Sequence, residues 1–232
     1  MTLLDLIRHP HAYFEALKTL PPAPWRLAWI PVLAGVIGGV SSVLLSRAIL
    51  DTQLLSTSAA FGIQLPGSVV YVLTVVFSAA LSFVTWLILW GMGQLGAGRE
   101  ARSGEVYAAS FLAPLLWSVA LLVLALLLPP QVSVAAPKLG GLTGDALKTA
   151  ISTYTNAVLA QYGQSPLVKF SNVMSYAIYV LQFWLAYIGF QAMTGDRARA
   201  WKGVLYPGVL FLVLGAAALL IVSAAASLTG LL

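Results

Sequence analysis

The sequence predicts an all-α fold: a bundle of five transmembrane helices, accompanied by amphipathic helices at the membrane interface. The first observation is composition, since 60% of the 232 residues are hydrophobic and 8% are charged, whereas an average soluble domain is about 25% charged. The second is that the apolar residues gather in five stretches, each near the roughly 20 residues that a spanning helix needs. So few charges cannot cover the surface of a soluble fold, and lipid is therefore the expected solvent for much of that surface.

The five spans are expected at about residues 27–48, 69–95, 106–128, 167–193 and 203–228. Their central turns contain no Asp, Glu, Lys, Arg or His, and Arg47 and Lys169 lie near span ends, from which long side chains reach the interface. Residues 27–232 are therefore expected to form one five-span domain. The sequence has no cysteine, which excludes disulfides and thiolate chemistry.

Residues 1–26 form a separate amphipathic segment. Pro10 suits the first turn of a helix, and Tyr13, Phe14 and Leu17 then share one face. Two interpretations stay open: this helix lies on the cytoplasmic membrane interface, or it packs on the ends of the bundle. The segment is charged and has no long apolar run, so we expect no cleaved signal peptide, and we expect the first span to act as the insertion signal.

The distribution of Lys and Arg predicts the orientation of the chain. Basic residues precede the first span and also occupy the loops before the third and fifth spans, where they are Arg99, Arg102, Arg197, Arg199 and Lys202. We expect these loops and the amino terminus in the cytoplasm, the carboxyl terminus outside, and the protein in the inner (plasma) membrane. The net charge of +5 then reflects topology and anionic headgroups, and no nucleic-acid partner is expected.

A second amphipathic helix is expected at about residues 143–163, between the third and fourth spans. Its apolar residues recur at spacings of 4, 3, 4 and 4, which is typical of one helix face; they are Leu147, Ile151, Tyr154, Val158 and Tyr162. We expect this helix to lie flat on the outer surface or to cap the bundle.

Small residues line one face of each of the first two spans. In the first span they are Gly35, Gly38, Gly39 and Ser42, and in the second they are Thr74, Ser78, Ser82 and Thr85. Small faces let helices approach closely in lipid, so helix packing within the chain is the first interpretation. A homodimer seam, or the polar wall of a cavity, are the alternatives.

An aromatic stripe runs along the fourth span and includes Tyr176, Tyr179, Phe183 and Tyr187. Buried tyrosine hydroxyls need hydrogen-bond partners, which makes these residues candidates for lining a groove together with the Thr and Ser face of the second span. Packing between helices is the alternative interpretation.

The chemical inventory predicts no catalytic residues, no metal site and no cofactor. The two histidines, His9 and His11, precede the spans, and the sequence contains no HExxH motif, no paired aspartates in the spans and no phosphate-binding glycine loop. A non-enzyme is therefore expected. The alternative is an enzyme at the cytoplasmic interface that uses His9, His11, Glu100 or Glu105.

Four residues and the span pattern resemble the Yip1-domain family in its short bacterial form. Pro10 lies shortly before Phe14, and Gly104 lies in a loop that leads to a span with Pro114 about two turns in. The resemblance implies a helical bundle with no known catalytic activity. Eukaryotic relatives are associated with Rab GTPases, vesicle traffic and membrane shaping, but their acidic, tyrosine-containing motifs and long soluble amino-terminal region are missing here, which argues against GTPase binding.

These observations lead to three functional hypotheses. The first is a non-enzymatic protein that binds membrane lipids, a partner membrane protein or a second copy of itself, and that organises or shapes the membrane. The second is a passive conduit, channel-like or scramblase-like, for a lipid or small solute. The third is the interfacial enzyme.

Overall fold

The computed structural model describes residues 3–61, 66–137 and 141–228. Their regular structure is helical, which confirms the all-α prediction. In chain order the helices are α1 (Leu3–Arg8), α2 (Pro10–Lys18), α3 (Trp29–Phe61), α4 (Gly67–Ala97), α5 (Ser103–Ser110), α6 (Leu112–Leu127), α7 (Gly144–Gln164), α8 (Pro166–Thr194) and α9 (Arg197–Leu228), with a 3-10 turn at Arg99–Ala101.

Five helical segments among the described residues are long and apolar enough to cross a membrane. They are Trp29–Ser58, Gly67–Ala97, Arg99–Leu127, Pro166–Thr194 and Arg197–Ala217. Large apolar side chains cover their outer surfaces; Phe77, for example, is 68% exposed and Leu212 is 75% exposed. Water would not tolerate so much exposed apolar area, whereas lipid does. The protein is a multi-pass helical membrane protein, and the prediction of five spans is confirmed.

The first long helix, α3, continues to Phe61, well past the predicted end near residue 48. Asp51 lowers the hydropathy there, but residues 49–61 contain neither glycine nor proline, so nothing in the backbone chemistry stops the helix. The helix bends instead at Ser46, where φ is −102° and ψ is 16°. The Ser46 hydroxyl donates to the carbonyl of Ser42, a bond one turn back that bends helices.

The third span is interrupted at Phe111, between α5 and α6. Pro114 has no N–H group and therefore cannot donate to the carbonyl of Ser110, four residues earlier. Proline thus explains the break, at which Phe111 itself keeps right-handed helical angles.

The fifth span begins six residues earlier than the sequence suggests, at Arg197. Gly195 ends α8 with a φ of 68°, a value that glycine adopts readily. The Asp196 carboxylate then accepts a hydrogen bond from the Ala198 N–H at 2.8 Å, which caps α9. Arg197, Arg199 and Lys202 therefore lie in the first turns of a helix. Their assignment to a loop is wrong.

Helix α7 matches the predicted amphipathic helix within one residue at each end. Val158, on the apolar stripe, is 1% exposed, while Lys148 and Ser152 on the other face are exposed. The stripe of the sequence is thus the covered face of the helix.

The chain divides into two compact units, each of which uses several separate segments. The first unit contains Met1–Trp29, Val84–Ser110 and Phe183–Leu232, and the second contains Ile30–Phe83 and Phe111–Gln182. Buried aromatic and aliphatic side chains form the core of the first unit, including Phe14, Trp86, Tyr107 and Phe190. The second unit contains the close approach of α3 to α4 and the packing of Trp117 on Phe170, whose rings are 5.9 Å apart.

Candidate functional site

A buried carboxylate lies in the first unit, at the start of α5. The side chain of Glu105 is 1% exposed. Arg102 donates from Nη2 to Glu105 Oε1 at 2.7 Å and from Nε to Oε2, and Arg26 Nη1 lies 3.3 Å from Oε1. Burial of a carboxylate is tolerated when it is paired and hydrogen-bonded in this way. Two guanidinium groups around one carboxylate give the cluster a net positive charge.

Arg102 also binds the chain that follows α2. Its Nη1 donates to the carbonyls of Leu17 at 2.7 Å and Leu20 at 2.9 Å, and its Nη2 donates to the carbonyl of Pro21 at 3.3 Å. The last carbonyls of a helix have no partner within the helix, and a basic side chain satisfies them while opposing the negative end of the helix dipole. Arg102 therefore fixes residues 3–26, which we call the arm, to α5.

Further contacts hold the arm at other points. Lys18 Nζ donates to the carbonyl of Ala192, in the last turn of α8, at 3.2 Å. Phe14 is fully buried and packs on Gly189, where an added Cβ would lie 2.9 Å from the Phe14 ring. Of the two interpretations of α2, the structure favours packing on the protein, because its apolar face is covered by α5 and α8.

Tyr13 adds a titratable group to this contact. Burial raises the pKa of Tyr13, and the nearby negative charge of Glu105 raises it further, against a smaller lowering effect of Arg26. The tyrosine is therefore neutral while the arm is bound.

A tryptophan of the arm packs on two tryptophans of α4. Trp25 lies against Trp86 and Trp90 with ring centroids 5.4 and 5.5 Å apart, and Trp86 donates from Nε1 to the carbonyl of Gly104 at 2.9 Å. An added Cβ at Gly104 would lie 3.1 Å from both Pro24 and Trp90. Gly104, one of the four residues behind the family resemblance, thus has a packing role.

Helices α4 and α9 touch through their backbones in the first unit. A Cβ added at Gly96 would lie 2.2 Å from the carbonyl oxygen of Lys202. The hydroxyl of Tyr107 donates to the carbonyl of Gly203 at 2.7 Å. These contacts hold the start of α9 against α4 and α5.

The outer surface of the first unit is apolar, aromatic and basic. Leu4 and Ile7 of α1 are more than half exposed, as are Trp25 and Trp201. Four of the five predicted basic residues are also exposed, namely Arg99, Arg197, Arg199 and Lys202. Arg102 is not, because its side chain is 9% exposed and belongs to the buried cluster. Arg102 does lie in the connection before α5, but its guanidinium is taken up by the buried cluster.

The small residues of the first span have different neighbours. Gly35 and Gly39 face α4, where an added Cβ would lie 2.7 Å from Ala79 Cα and 2.8 Å from Val75 Cα respectively. Gly38 faces Ser118 of α6. Ser42 is exposed, and the neighbouring Ser41 makes the contact instead, since its hydroxyl donates to the carbonyl of Ser118 at 3.1 Å.

The Thr and Ser face of α4 is engaged mainly in this packing. Ser82 donates to the carbonyl of Pro31 at 2.7 Å, Ser78 lies 3.0 Å from the Cβ position of Gly39, and Thr74 donates to Val70 within its own helix. Thr85 is half-buried. Hydroxyls that already have a partner in the protein are less free to line a groove.

The aromatic stripe of α8 lies in other surroundings. Tyr176 is 75% exposed and Tyr179 is 57% exposed, while Phe183 and Tyr187 are half-buried. The Tyr187 ring packs on Trp201 with centroids 4.9 Å apart. The structure therefore offers no support for a groove shared by these residues and the α4 face, and that groove stays a prediction.

The residues of the interfacial-enzyme hypothesis also differ in their surroundings. His9, His11 and Glu100 are exposed, and Glu100 lies 3.9 Å from Arg199, whereas Glu105 is enclosed by two arginines. Proton transfer needs an acid or base within reach of a substrate, and Glu105 is covered. Within the described ranges, no group of three or more His, Cys, Asp or Glu side chains is placed to hold a metal ion.

The sequence indicates Glu105 only as a possible catalytic residue and does not predict its buried pairing with two arginines. An Arg and a Glu three residues apart directly before an apolar stretch are a local signal, and Arg102 with Glu105 form such a pair. Arg26, however, is 79 residues away along the chain, and a single sequence gives no sign of that contact.

Comparison with protein-family models, with curated proteins and with solved structures found no match to this chain. The resemblance to the Yip1-domain family therefore stays a prediction.

Proposed function

We propose that this protein is a non-enzymatic membrane organiser that binds anionic lipid headgroups through the outer surface of its first unit. One observation carries the proposal. The Arg102–Glu105 cluster locks the arm in place from inside, while apolar, tryptophan and basic side chains of the same unit face outward.

The outward residue types suit a membrane interface. Trp29 and Trp201 lie at the starts of α3 and α9 and are 48% and 53% exposed, and tryptophan is enriched where spanning helices leave the hydrocarbon. Arg197, Arg199 and Lys202 are exposed close to Trp201 in the sequence, and Arg99 is exposed in the same unit. A basic residue close to an anionic surface contributes about 1 kcal/mol of binding free energy. Arg199 lies 3.9 Å from Glu100 and 3.7 Å from Asp196, so these four basic and two acidic residues keep a net positive charge that favours anionic lipid.

The fixed arm is what makes this surface ready to bind. A flexible segment loses conformational entropy when it binds, and a segment that is already ordered avoids most of that cost. Leu4 and Ile7 are held outward because Leu6, between them on α1, is fully buried. The arm thus presents its apolar residues without having to fold on the membrane first.

The orientation belongs to the same proposal. We place the arm and the basic residues in the cytoplasm, the carboxyl terminus outside, and the protein in the inner membrane. The natural chain has no cysteine, so single Arg99→Cys and Lys148→Cys variants are ready reporters. A membrane-impermeant maleimide applied to intact cells should label Lys148→Cys alone. Labelling of Arg99→Cys instead would reverse the orientation.

The resemblance to the Yip1-domain family agrees with this function, since it implies a helical bundle with no known catalytic activity, and eukaryotic relatives are associated with membrane shaping. Phe14 and Gly104, which contribute to the resemblance, both pack the arm onto the first unit. A passive conduit is less well supported, because Ser82 and Thr74 already donate hydrogen bonds within the protein.

Lipid selectivity tests the proposal. The full chain is placed in nanodiscs that contain equal amounts of phosphatidylcholine and phosphatidylglycerol, and native mass spectrometry counts the retained lipids. We expect phosphatidylglycerol to be enriched several-fold. Changing Arg99, Arg197, Arg199 and Lys202 to Gln together should abolish the enrichment.

Lys148→Gln with Lys169→Gln is the matched control, because both of these exposed residues belong to the second unit. The proposal is contradicted if the variant with all four substitutions still enriches phosphatidylglycerol, or if enrichment is lost only in the control variant. A co-purifying protein in fixed stoichiometry, with no lipid selectivity, would identify a partner protein as the ligand instead.

A further inference from the structure

A pocket in the second unit lies along one face of α7. It has a volume of about 620 Å³ and is lined by α7 residues from Gly144 to Asn156 and by Ser56 of α3. Asn156 lies twelve residues after Gly144, which corresponds to about 18 Å along the helix, so the pocket is elongated. Its volume falls in the range of small-molecule sites, about 300–1,000 Å³.

The lining of the pocket combines apolar and hydroxyl groups. Leu147 and Ile151 supply an apolar wall, and Ser56, Ser152 and Thr155 supply hydroxyls. The Ser56 hydroxyl donates to the carbonyl of Thr52 and the Ser152 hydroxyl donates to that of Thr149. Both serines therefore present their oxygen lone pairs as acceptors.

Thr155 has an unused hydroxyl. Its Oγ1 is buried and has no hydrogen-bond partner among the described residues, a condition that is uncommon for buried polar atoms. Rotation about χ1 can move the threonine hydroxyl into the position that the methyl group held, and threonine in helices populates two χ1 rotamers. The residue already lines the pocket, so a bound ligand can give this hydroxyl its partner. Asn156 adds an amide donor and an amide acceptor beside it.

Lys148 is the charged residue of the pocket lining, and a carboxylate outside the lining offsets its charge. Its ammonium is 4.0 Å from the carboxylate of Asp145, and both side chains are strongly exposed. A site for a phosphate would need an excess of positive charge, as the Arg clusters of phosphate sites have. Lys148 and Asp145 together carry no net charge. This, with hydrogen-bond acceptors and donors over an apolar wall, fits an uncharged polyol whose C–H groups pack on Leu147 and Ile151.

The position of Ser56 indicates the depth of the pocket. Asp51 is exposed on α3, and a charged side chain avoids the hydrocarbon core. Ser56 lies five residues further on, about 7 Å along the helix. The headgroup layer on each face of a bilayer is of similar thickness. The pocket is thus at the level of lipid headgroups or just beyond it.

We propose that this pocket binds an uncharged polyol group, such as the sugar of a glycosyl diacylglycerol, with Thr155 and Asn156 as the principal hydrogen-bonding residues. The inference is independent of the lipid binding proposed for the first unit, because it uses other residues, another unit and a ligand of another charge.

The test offers the full chain a choice of lipids. Nanodiscs contain equal amounts of phosphatidylcholine, phosphatidic acid and monoglucosyl diacylglycerol, and native mass spectrometry counts the retained lipids. We expect at least fivefold enrichment of the glucosyl lipid, which Thr155→Val with Asn156→Ala should abolish. Ser152→Ala serves as a second variant if the double variant elutes as aggregate in size-exclusion chromatography. Gln161→Ala, on the same helix but outside the pocket, should leave the enrichment unchanged.

Methyl α-glucoside is added in a second arm to identify the source of the polyol. Thermal stabilisation by the free sugar, lost in the Thr155 variant and without enrichment of the glucosyl lipid, supports the same chemistry with a free solute as the ligand. The proposal is overturned if the glucosyl lipid is not enriched and the free sugar does not stabilise the protein. Enrichment of phosphatidic acid that Lys148→Gln abolishes also overturns it, because the pocket would then recognise an anion.

Discussion

Glu105→Gln removes the charge of the buried carboxylate and keeps nearly the same side-chain volume. The glutamine retains one oxygen, which can still accept from Arg102 Nη2, at 2.7 Å in the native chain. Its amide nitrogen replaces Oε2 and faces Arg102 Nε, so two donors meet. The Arg26 side chain is 31% exposed, so water can solvate its guanidinium. The Arg102 side chain is 9% exposed, so its guanidinium stays buried beside the glutamine.

The lost free energy mainly weakens the attachment of the arm to α5. Breaking a buried ion pair by removing one partner costs about 3–5 kcal/mol, and the lower end applies because the glutamine keeps one hydrogen bond. A cost of about 3 kcal/mol raises the population of the detached arm about 150-fold. Hydrogen–deuterium exchange of peptides that cover α2 should then lose protection by about that factor.

Glu100→Gln is the matched control, since Glu100 lies in the same connection between α4 and α5 and its side chain is 91% exposed. We expect no change in exchange for this variant. Unchanged protection of α2 in Glu105→Gln would refute the claim that the buried cluster holds the arm. Equal loss of protection in both variants would show that the overall charge of the connection matters, and not the buried pair.

Two further predictions concern helix packing and pH. Gly96→Ala places a Cβ 2.2 Å from the carbonyl oxygen of Lys202. Since neither backbone can move away easily, we expect the variant to be destabilised by about 3 kcal/mol, the upper end of the usual cost of overpacking. A Cβ added at Gly91 has no atom within 4 Å, so Gly91→Ala should instead raise the thermal midpoint of unfolding, because alanine is the better helix former. Equal midpoints for the two variants would count against the backbone contact between α4 and α9. Because burial, with a further contribution from Glu105, raises the pKa of Tyr13 in the bound arm, attachment is at full strength below about pH 10, the pKa of a free tyrosine. It weakens as the pH rises from there through the bound-state pKa. Trypsin cleavage of the arm measures its detachment at each pH. Tyr13→Phe should remove this part of the alkaline dependence, and a pH profile identical to that of the native chain would show that Tyr13 does not contribute.

The spans could be predicted from the sequence because each rests on a local property. Hydropathy over about 20 residues located all five, and the periodicity of Leu147, Ile151 and Val158 located α7 within one residue. The boundaries failed where helix formation and hydropathy diverge. Helix α3 runs on through Asp51 because a polar residue ends an apolar run without ending a helix.

The candidate site could be predicted only in part, because its contacts join distant segments. Arg99 and Arg197 are exposed, as their loop-like sequence suggests, but Arg102 looks the same in sequence and is buried. The difference comes from the carbonyls of Leu17 and Leu20, which lie more than 80 residues earlier. Likewise, a glycine ridge in the first span is readable, but which helix each glycine faces depends on the tertiary fold.

The central claim is that the fixed arm is needed for the protein to bind its ligands in the membrane. The most direct measurement is native mass spectrometry of the full chain and of a variant without residues 2–20, both extracted gently from their own membrane. Maleimide labelling at Lys148→Cys confirms that both forms insert. The account predicts that the full chain retains anionic lipid and that the shortened chain loses it. Equal retention by the two inserted forms would contradict the account.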